Sequence, residues 1–230
     1  MQTYKQVIGN FTEDMLEIKY NKYFIKFEEI IDDILDFSSP NIFYNNKNVE
    51  FSQNLKVKIT VYQDNLEEYN VVIIGHMLDS KRFLQRESFI IFNENLIVYF
   101  DSNIFSFNLP KLNLLWKIDN LCYVFGVYNY KEDLIVYDEL SILRIAKSGE
   151  IKWQYYGMDH FVSYKGNSSF EMKEDHIELL DSNESFYKID YDGIVLDDSD
   201  ARHIIEQLGN LKSESLLKRF FRNLFNKSSL

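Results

Sequence analysis

The alternation of apolar and polar residues predicts β-strands along most of the chain. Residues 55–61 alternate with a period of two, which is typical of a strand buried on one face. The run YNVVIIGHML over 69–78 is continuously apolar, as in a strand buried on both faces. The segment 15–27 predicts a hairpin that turns at Asn21 and Lys22. We therefore expect a mainly β protein.

Two segments break this pattern and predict helices. FEEIIDDILDF, residues 27–37, places apolar side chains at helical spacing opposite four acidic residues, which indicates a short N-terminal helix. Near the C-terminus, an Asp-Ser-Asp stretch can cap a first helix, and residues 213–225 predict a second, basic amphipathic helix. We expect one mainly β domain over 1–197, with a helical segment over 198–230 packed on it.

The second half of the chain repeats a strand-turn-strand pattern three times. The copies align on Phe107, Ile145 and Ile189, at steps of 38 and 44 residues. The first turn of each copy is acidic, at Asp101, Asp138 and Asp181, and the next turn lies at Pro110-Lys111, Ser148-Gly149 and Asp192-Gly193. A period near forty residues with several strands per unit is typical of propeller blades or of repeated hairpins.

The hairpins SILRIAKSGEIKWQYYG and SFYKIDYDGIVL resemble the repeat of quinoprotein-type (PQQ-like) β-propellers, in which a Gly turn joins a strand to a Trp-bearing strand. The resemblance covers residues 96–196 and implies antiparallel repeat hairpins in a propeller-like array; a meandering open sheet is the alternative. That family includes quinone-binding dehydrogenases and non-enzymatic scaffolds. The chain carries no motif for the quinone, so no cofactor is predicted. We expect Trp116 and Trp153 to pack between repeats.

Charge narrows the classes of partner. The net charge is −11, from 36 acidic and 25 basic residues, which disfavours a nucleic-acid binder because phosphate recognition needs a basic surface. An acidic surface serves solubility, or attracts a basic protein. Residues 211–230 are the exception, with five basic residues and one acidic residue. The helix predicted over 213–225 is thus a candidate for partner contact or self-association.

The single cysteine and the apolar runs indicate a cytoplasmic location. Cys122 lies in the apolar run LCYVFGV, where a buried, inert thiol is expected, and one thiol forms no internal disulfide. The N-terminal residues lack the basic and apolar regions of a signal peptide. No apolar run reaches the length of a membrane span.

Motifs for chemistry are missing from the sequence. The four histidines have no metal-ligand spacing. Residues 190–200 resemble a calcium loop, but an EF-hand register places Lys188 at the first position and Ser199 at the twelfth, so a turn is expected. The neighbours Asp159 and His160 suggest an acid–base pair, although sequence adjacency is weak support. We predict no catalytic residues, no metal and no cofactor.

The segment YYGMDHF, residues 155–161, does not recur in the other copies and is the candidate contact surface. The candidate binding residues are Tyr155, Tyr156, Asp159, His160 and Asp138. The leading hypothesis is a non-catalytic protein-binding domain, in concrete form a bacterial immunity protein that neutralises a basic partner. Alternatives are a carbohydrate-binding or small-ligand-binding protein or a hydrolase with its site at the mouth of the β-repeats, and a scaffold that self-associates through its C-terminal helix.

Overall fold

The described part of the chain is mainly β, as predicted. A computed structural model describes residues 9–12, 15–30, 42–44, 54–76, 88–100, 102–119 and 121–198. Within these ranges the chain forms 18 strands and no α-helix, so no helix there could cross a membrane. The chain divides into two compact units, Met1–Tyr156 and Gly157–Leu230, and each is described by itself. The predicted domain boundary after residue 197 stays a prediction.

Sheet A, at the start of the first unit, has six strands in the order β1-β2-β3-β5-β6-β4. The strands are β1 (Gly9–Thr12), β2 (Met15–Tyr20), β3 (Tyr23–Glu29), β4 (Ile42–Tyr44), β5 (Asn54–Gln63) and β6 (Leu66–His76). The predicted hairpin is confirmed, since Tyr20 pairs with Tyr23 across the two-residue turn. All neighbours pair antiparallel except β4, which runs parallel to β6. The predicted buried strand is β6, in which residues 71–74 are all buried.

The N-terminal helix predicted over 27–37 is wrong at its start. Phe27 to Glu29 belong to β3, where they pair with β5, and Phe27 is buried in the core. The helical spacing was misleading because Ile25 and Phe27 also fit a period of two, and the long partner strand β5 selects the extended conformation. The rest of that segment and the C-terminal helices lie outside the described residues.

Three four-stranded antiparallel sheets follow, one for each sequence repeat. Sheet B holds β7 (Phe89–Phe92), β8 (Asn95–Phe100), β9 (Asn103–Asn108) and β10 (Leu114–Ile118). Sheet C holds β11 (Val124–Tyr130), β12 (Asp133–Asp138), β13 (Ser141–Ala146) and β14 (Ile151–Tyr156). Sheet D, in the second unit, holds β15 (Phe170–Met172), β16 (His176–Leu180), β17 (Phe186–Asp190) and β18 (Val195–Asp198). In each sheet the strands lie in chain order, as in a propeller blade.

The three sheets share one register, which confirms the alignment of the repeats. Phe107, Ile145 and Ile189 all lie in the third strand of their sheets. In each sheet the fourth strand carries a bulge directly opposite this position. The bulged residues are Leu115, Lys152 and Leu196. The described strands form separate sheets, so the alternative of one continuous meandering sheet does not hold in this part of the chain.

Sheet B buries both of its faces inside the first unit. Leu96 and Val98 of β8 join the core with sheet A, whereas Ile97 and Tyr99 join the core with sheet C. Consecutive residues of a strand point to opposite faces, so this continuously apolar strand serves two cores at once. The stacking of sheets A, B and C follows from that pattern.

Trp116 links sheet B to sheet C, as predicted for a residue between repeats. Its Nε1 donates a hydrogen bond of 2.8 Å to the carbonyl oxygen of Lys147 in the β13–β14 turn. The indole lies so close to Gly149 of that turn that an added Cβ would stand 2.6 Å from the ring. Gly149 also has a φ of +90°, a conformation that favours glycine. Two independent constraints therefore select glycine here.

We predict that Gly149→Ala lowers the free energy of unfolding by about 2–5 kcal/mol. Backbone strain contributes about 1–2 kcal/mol, and the displaced indole about 1–3 kcal/mol. Urea denaturation followed by circular dichroism measures the loss. The matched control is Gly166→Ala, since Gly166 has a φ of +80° but no atom within 4 Å of the added Cβ. Equal losses in both variants would contradict the role of the Trp116 contact.

Candidate functional site

The segment between β14 and β15, residues 157–169, forms a loop anchored by one buried aromatic ring. We name it the tethered loop. The ring of Phe161 is fully buried and meets Tyr187 of β17 edge to face, with centroids 5.6 Å apart. Gly157 lies against that ring, and a Cβ there would stand 2.6 Å from it. The start of the loop is therefore fixed against sheet D.

Asp159 connects the loop to the β16–β17 turn, residues 181–185. Its Oδ2 accepts a hydrogen bond of 2.8 Å from Nδ2 of Asn183, and its Oδ1 accepts one of 2.8 Å from the backbone N–H of His160. The carbonyl oxygen of His160 in turn accepts from the N–H of Ser182 at 2.8 Å. Hydrogen bonding from the Ser182 hydroxyl, more than any other cause, lowers the pKa of Asp159.

Glu184 makes a second connection from the same turn to the loop. Its carboxylate accepts hydrogen bonds from the Ser163 hydroxyl at 2.7 Å and from the Asn167 amide at 2.9 Å. These contacts, led by Ser163, lower the pKa of Glu184. Ser163 also donates its backbone N–H to the hydroxyl of Ser169 at 2.6 Å, which closes the loop on itself. The loop is thus tied down at both ends.

Next to these attachments the loop presents two large side chains to solvent. Met158 is 65% exposed and Tyr164 is 80% exposed. A loop with its own buried anchor and hydrogen bonds has already lost much of its conformational freedom. Exposed aromatic and thioether side chains on a fixed backbone suit recognition of another protein surface.

The predicted site residues fall in both units. Asp159 and His160 lie in the tethered loop, where Nε2 of His160 stands 3.9 Å from Oδ1 of Asp159. That separation is too long for a hydrogen bond between the two side chains, so the pair is not poised for proton transfer. Tyr155 and Tyr156 end β14 in the first unit; Tyr155 is half-buried, and Tyr156 is 63% exposed.

Asp138 has a structural role in the first unit. It is buried, its Oδ1 accepts the N–H groups of Leu140 and Ser141 at 2.9 and 2.5 Å, and its Oδ2 accepts the Ser141 hydroxyl at 2.8 Å. Asp181 has the equivalent role in sheet D. Its Oδ1 accepts hydrogen bonds from the N–H groups of Asn183 and Ser185, and its Oδ2 accepts one from the hydroxyl of Tyr187. Both carboxylates close the turn between the second and third strands.

Other side chains with reactive groups are held in hydrogen bonds or are kept in an unreactive form. His176 lies between two carboxylates, with Nδ1 facing Asp175 and Nε2 at 3.1 Å from Glu178, and hydrogen bonding to this ring lowers the pKa of both acids. Cys122 is half-buried, and burial raises the pKa of its thiol, so the reactive thiolate is disfavoured. Of the stretch 190–200, residues 191–193 form the turn between β17 and β18, as expected, whereas Val195–Asp198 form β18. Across the described ranges no three His, Cys, Asp or Glu side chains converge as metal ligands.

A shallow concavity of about 480 Å³ lies on sheet A. It is lined by Glu17, Phe24, Lys26, Tyr62 and Asn65. The Lys26 ammonium already pairs with Glu28 at 2.8 Å, so a charge that could orient a ligand is committed within the protein. This concavity is separate from the repeats, where the alternative ligand-binding hypothesis places a site.

Sequence reasoning missed the residues that hold and complete the loop. Met158 lay inside the candidate segment without being selected, and Tyr164, Asn183 and Glu184 lay outside it. The available signal was the unequal spacing of the repeats. The connection between sheets B and C spans residues 119–123, whereas the connection between sheets C and D is the longer tethered loop.

Comparison with known proteins finds similarity in structure only. No protein-family model and no curated protein sequence matches the chain. Among solved structures, the crystal structure of BamB from Moraxella catarrhalis is similar, with a TM-score of 0.43 and 8% identity. The similarity covers 83% of this chain and 62% of that one.

The hydrogen bonds of Asp159 predict how the loop responds to acid. Because its pKa in the folded protein lies below the ordinary value of 3.8, the stabilisation it gives is present above that value and is lost as pH falls through the lowered pKa. We expect the His160 amide signal in NMR spectra to titrate with a midpoint below 3.8. Ser182→Ala raises that midpoint towards 3.8 by removing the leading cause.

The control is Ser168→Ala, since the Ser168 hydroxyl donates to the carbonyl oxygen of Phe170 and not to Asp159. This variant leaves the midpoint unchanged. A Ser182→Ala midpoint equal to that of the unmodified protein would show that the hydroxyl does not hold the carboxylate.

Proposed function

We propose that this protein is a non-catalytic binding module that recognises a basic protein through the tethered loop. The observation that carries the proposal is the pair of exposed side chains, Met158 and Tyr164, on a backbone fixed by Phe161, Asp159 and Glu184. Hot spots of protein interfaces are commonly aromatic side chains on pre-organised surfaces. The loop therefore supplies contact area at little further cost in conformational entropy.

The charge around the loop supports a basic partner. Residues 157–198 contain eleven Asp and Glu residues and three Lys residues. Several of these carboxylates, including Glu171, Glu174 and Asp192, are exposed. A surface of one sign accelerates the encounter with a partner of the opposite sign. An immunity protein that neutralises a basic toxin in the bacterial cytoplasm is the concrete form of this proposal that suits the size and charge of the chain.

The scaffold fits the same proposal. Sheets B, C and D have the strand order of propeller blades, which supports a relationship to quinoprotein-type repeats. Non-enzymatic scaffolds of that family type need no quinone. In this chain the recurring acidic position is used in turns, as Asp138 and Asp181 show, which leaves recognition to the non-recurring loop.

The test compares the full chain with a Met158→Ala/Tyr164→Ala double variant. Each protein is immobilised and exposed to lysate of the source organism, and bound proteins are quantified by mass spectrometry. We expect a basic protein in near-stoichiometric amount with the unmodified chain. Loss of one hot-spot side chain costs about 2 kcal/mol, so calorimetry with the purified partner should show at least about 30-fold weaker binding to the double variant.

The control is Leu66→Ala, which removes an equally exposed apolar side chain at the β5–β6 turn of sheet A. This variant retains the partner. A partner that binds all three proteins equally would place recognition elsewhere, and an acidic partner would overturn the charge argument.

A further inference from the structure

The last strand of sheet D is an edge strand with exposed apolar residues. β18 pairs with β17 alone in the described part of the chain, through Val195 opposite Ile189 and Asp197 opposite Lys188. Val195 and Leu196 of β18 are 41% and 51% exposed, and Ile194, which directly precedes the strand, is 60% exposed. Three consecutive exposed apolar residues on such an edge form a template for pairing with another strand.

The equivalent edge of sheet C is protected. The shared register places Glu150, Ile151 and Lys152 where sheet D has Ile194, Val195 and Leu196. Charged residues on an edge strand oppose pairing with a second chain. Sheet C has Glu150 and Lys152 on either side of one apolar residue, with the Lys152 ammonium also paired to Asp133 at 2.7 Å, and sheet D has apolar side chains at both positions. The difference lies at the same two positions of a common scaffold.

We propose that β18 accepts an extended, basic segment of a protein partner as an added strand. Main-chain hydrogen bonds along the edge would supply affinity, and alternate side chains specificity. Between residues 186 and 197 the β17–β18 hairpin contains three aspartates, Asp190, Asp192 and Asp197, and one lysine, Lys188. This negative charge selects strands that carry lysine or arginine. The basic character of the segment rests on the function proposed above.

The same charge argues against a second copy of this chain as the occupant. Pairing of two β18 strands would bring the acidic residues of both hairpins together. Like charges on directly opposed strands are destabilising. An acidic hairpin therefore prefers a basic strand from a different protein.

The probe is a fluorescent seven-residue peptide of alternating lysine and valine, added to the full chain and followed by anisotropy. The test variant is Ile194→Glu/Leu196→Lys, which copies the edge of sheet C and leaves the net charge unchanged. We expect at least about tenfold weaker binding to this variant. Hydrogen exchange should show that the peptide protects amides of residues 194–198.

A second peptide, N-methylated on alternate residues, separates strand addition from plain charge attraction. It keeps every lysine and removes the N–H donors of one edge, so it should bind at least about tenfold more weakly. Equal binding of the methylated peptide, or of the double variant to the original peptide, overturns the proposal. Dimers of the unmodified chain that the double variant abolishes would identify a second copy as the occupant and overturn it as well.

The outcomes distinguish this inference from the proposed function. Protection confined to residues 157–169 overturns strand addition and leaves the tethered loop as the binding surface. Protection of residues 194–198, together with a native partner that ignores Met158→Ala/Tyr164→Ala, supports strand addition and overturns the loop's role.

Discussion

Burial of both faces of sheet B is the constraint on which the first unit depends. Leu96 and Ile97 are neighbours in β8, yet each is completely buried, one in the core with sheet A and the other in the core with sheet C. A four-stranded meander has no means of covering two apolar faces by itself, so sheets must stack on either side of it. Stacked sheets must also fit closely where the turns of one sheet meet the side chains of the next. Trp116 reaches the β13–β14 turn of sheet C only because Gly149 leaves room for the indole.

The recurring residues therefore have structural roles. Asp138 and Asp181 occupy the same place in successive repeats, and each carboxylate satisfies two backbone N–H groups of a tight turn. A buried carboxylate with this many hydrogen-bond donors gives the turn a fixed shape. Gly149 and Gly193 recur for a different reason, since both have a positive φ in the next turn. With only eight glycines in the chain, other turns use residues such as Asn21 and Asn93, which adopt a positive φ without glycine.

The sequence predicted the parts of the fold that depend on local pattern. Strand periodicity and turn residues located the 15–27 hairpin and the three repeats, because a residue's preference for a strand face or a turn acts over a few neighbours. The helix at Phe27 failed because its apolar spacing also suits a strand, and only the partner β5 decides between them. The contacts of Asn183 and Glu184 with the tethered loop join residues 17 to 24 positions apart, and neither residue differs in type from an ordinary turn residue. Such contacts depend on tertiary structure, so sequence pattern alone could not reveal them.

The segments that depart from the repeat are the ones that packing and turn geometry do not explain. One buried ring and two carboxylates hold the backbone of the tethered loop, which presents Met158 and Tyr164 to solvent. Such a long loop is not needed to join two sheets, because residues 119–123 suffice between sheets B and C. Ordering a loop costs conformational entropy, and a fold that has already met this cost can bind without meeting it again. The edge of sheet D follows the same logic, because β18 keeps the bulge of β14 but sheet D has apolar residues where sheet C has Glu150 and Lys152. Both features lie within residues 157–198, which contain eleven acidic residues and three lysines, so the side chains that could contact a partner are set in a field that attracts basic ones.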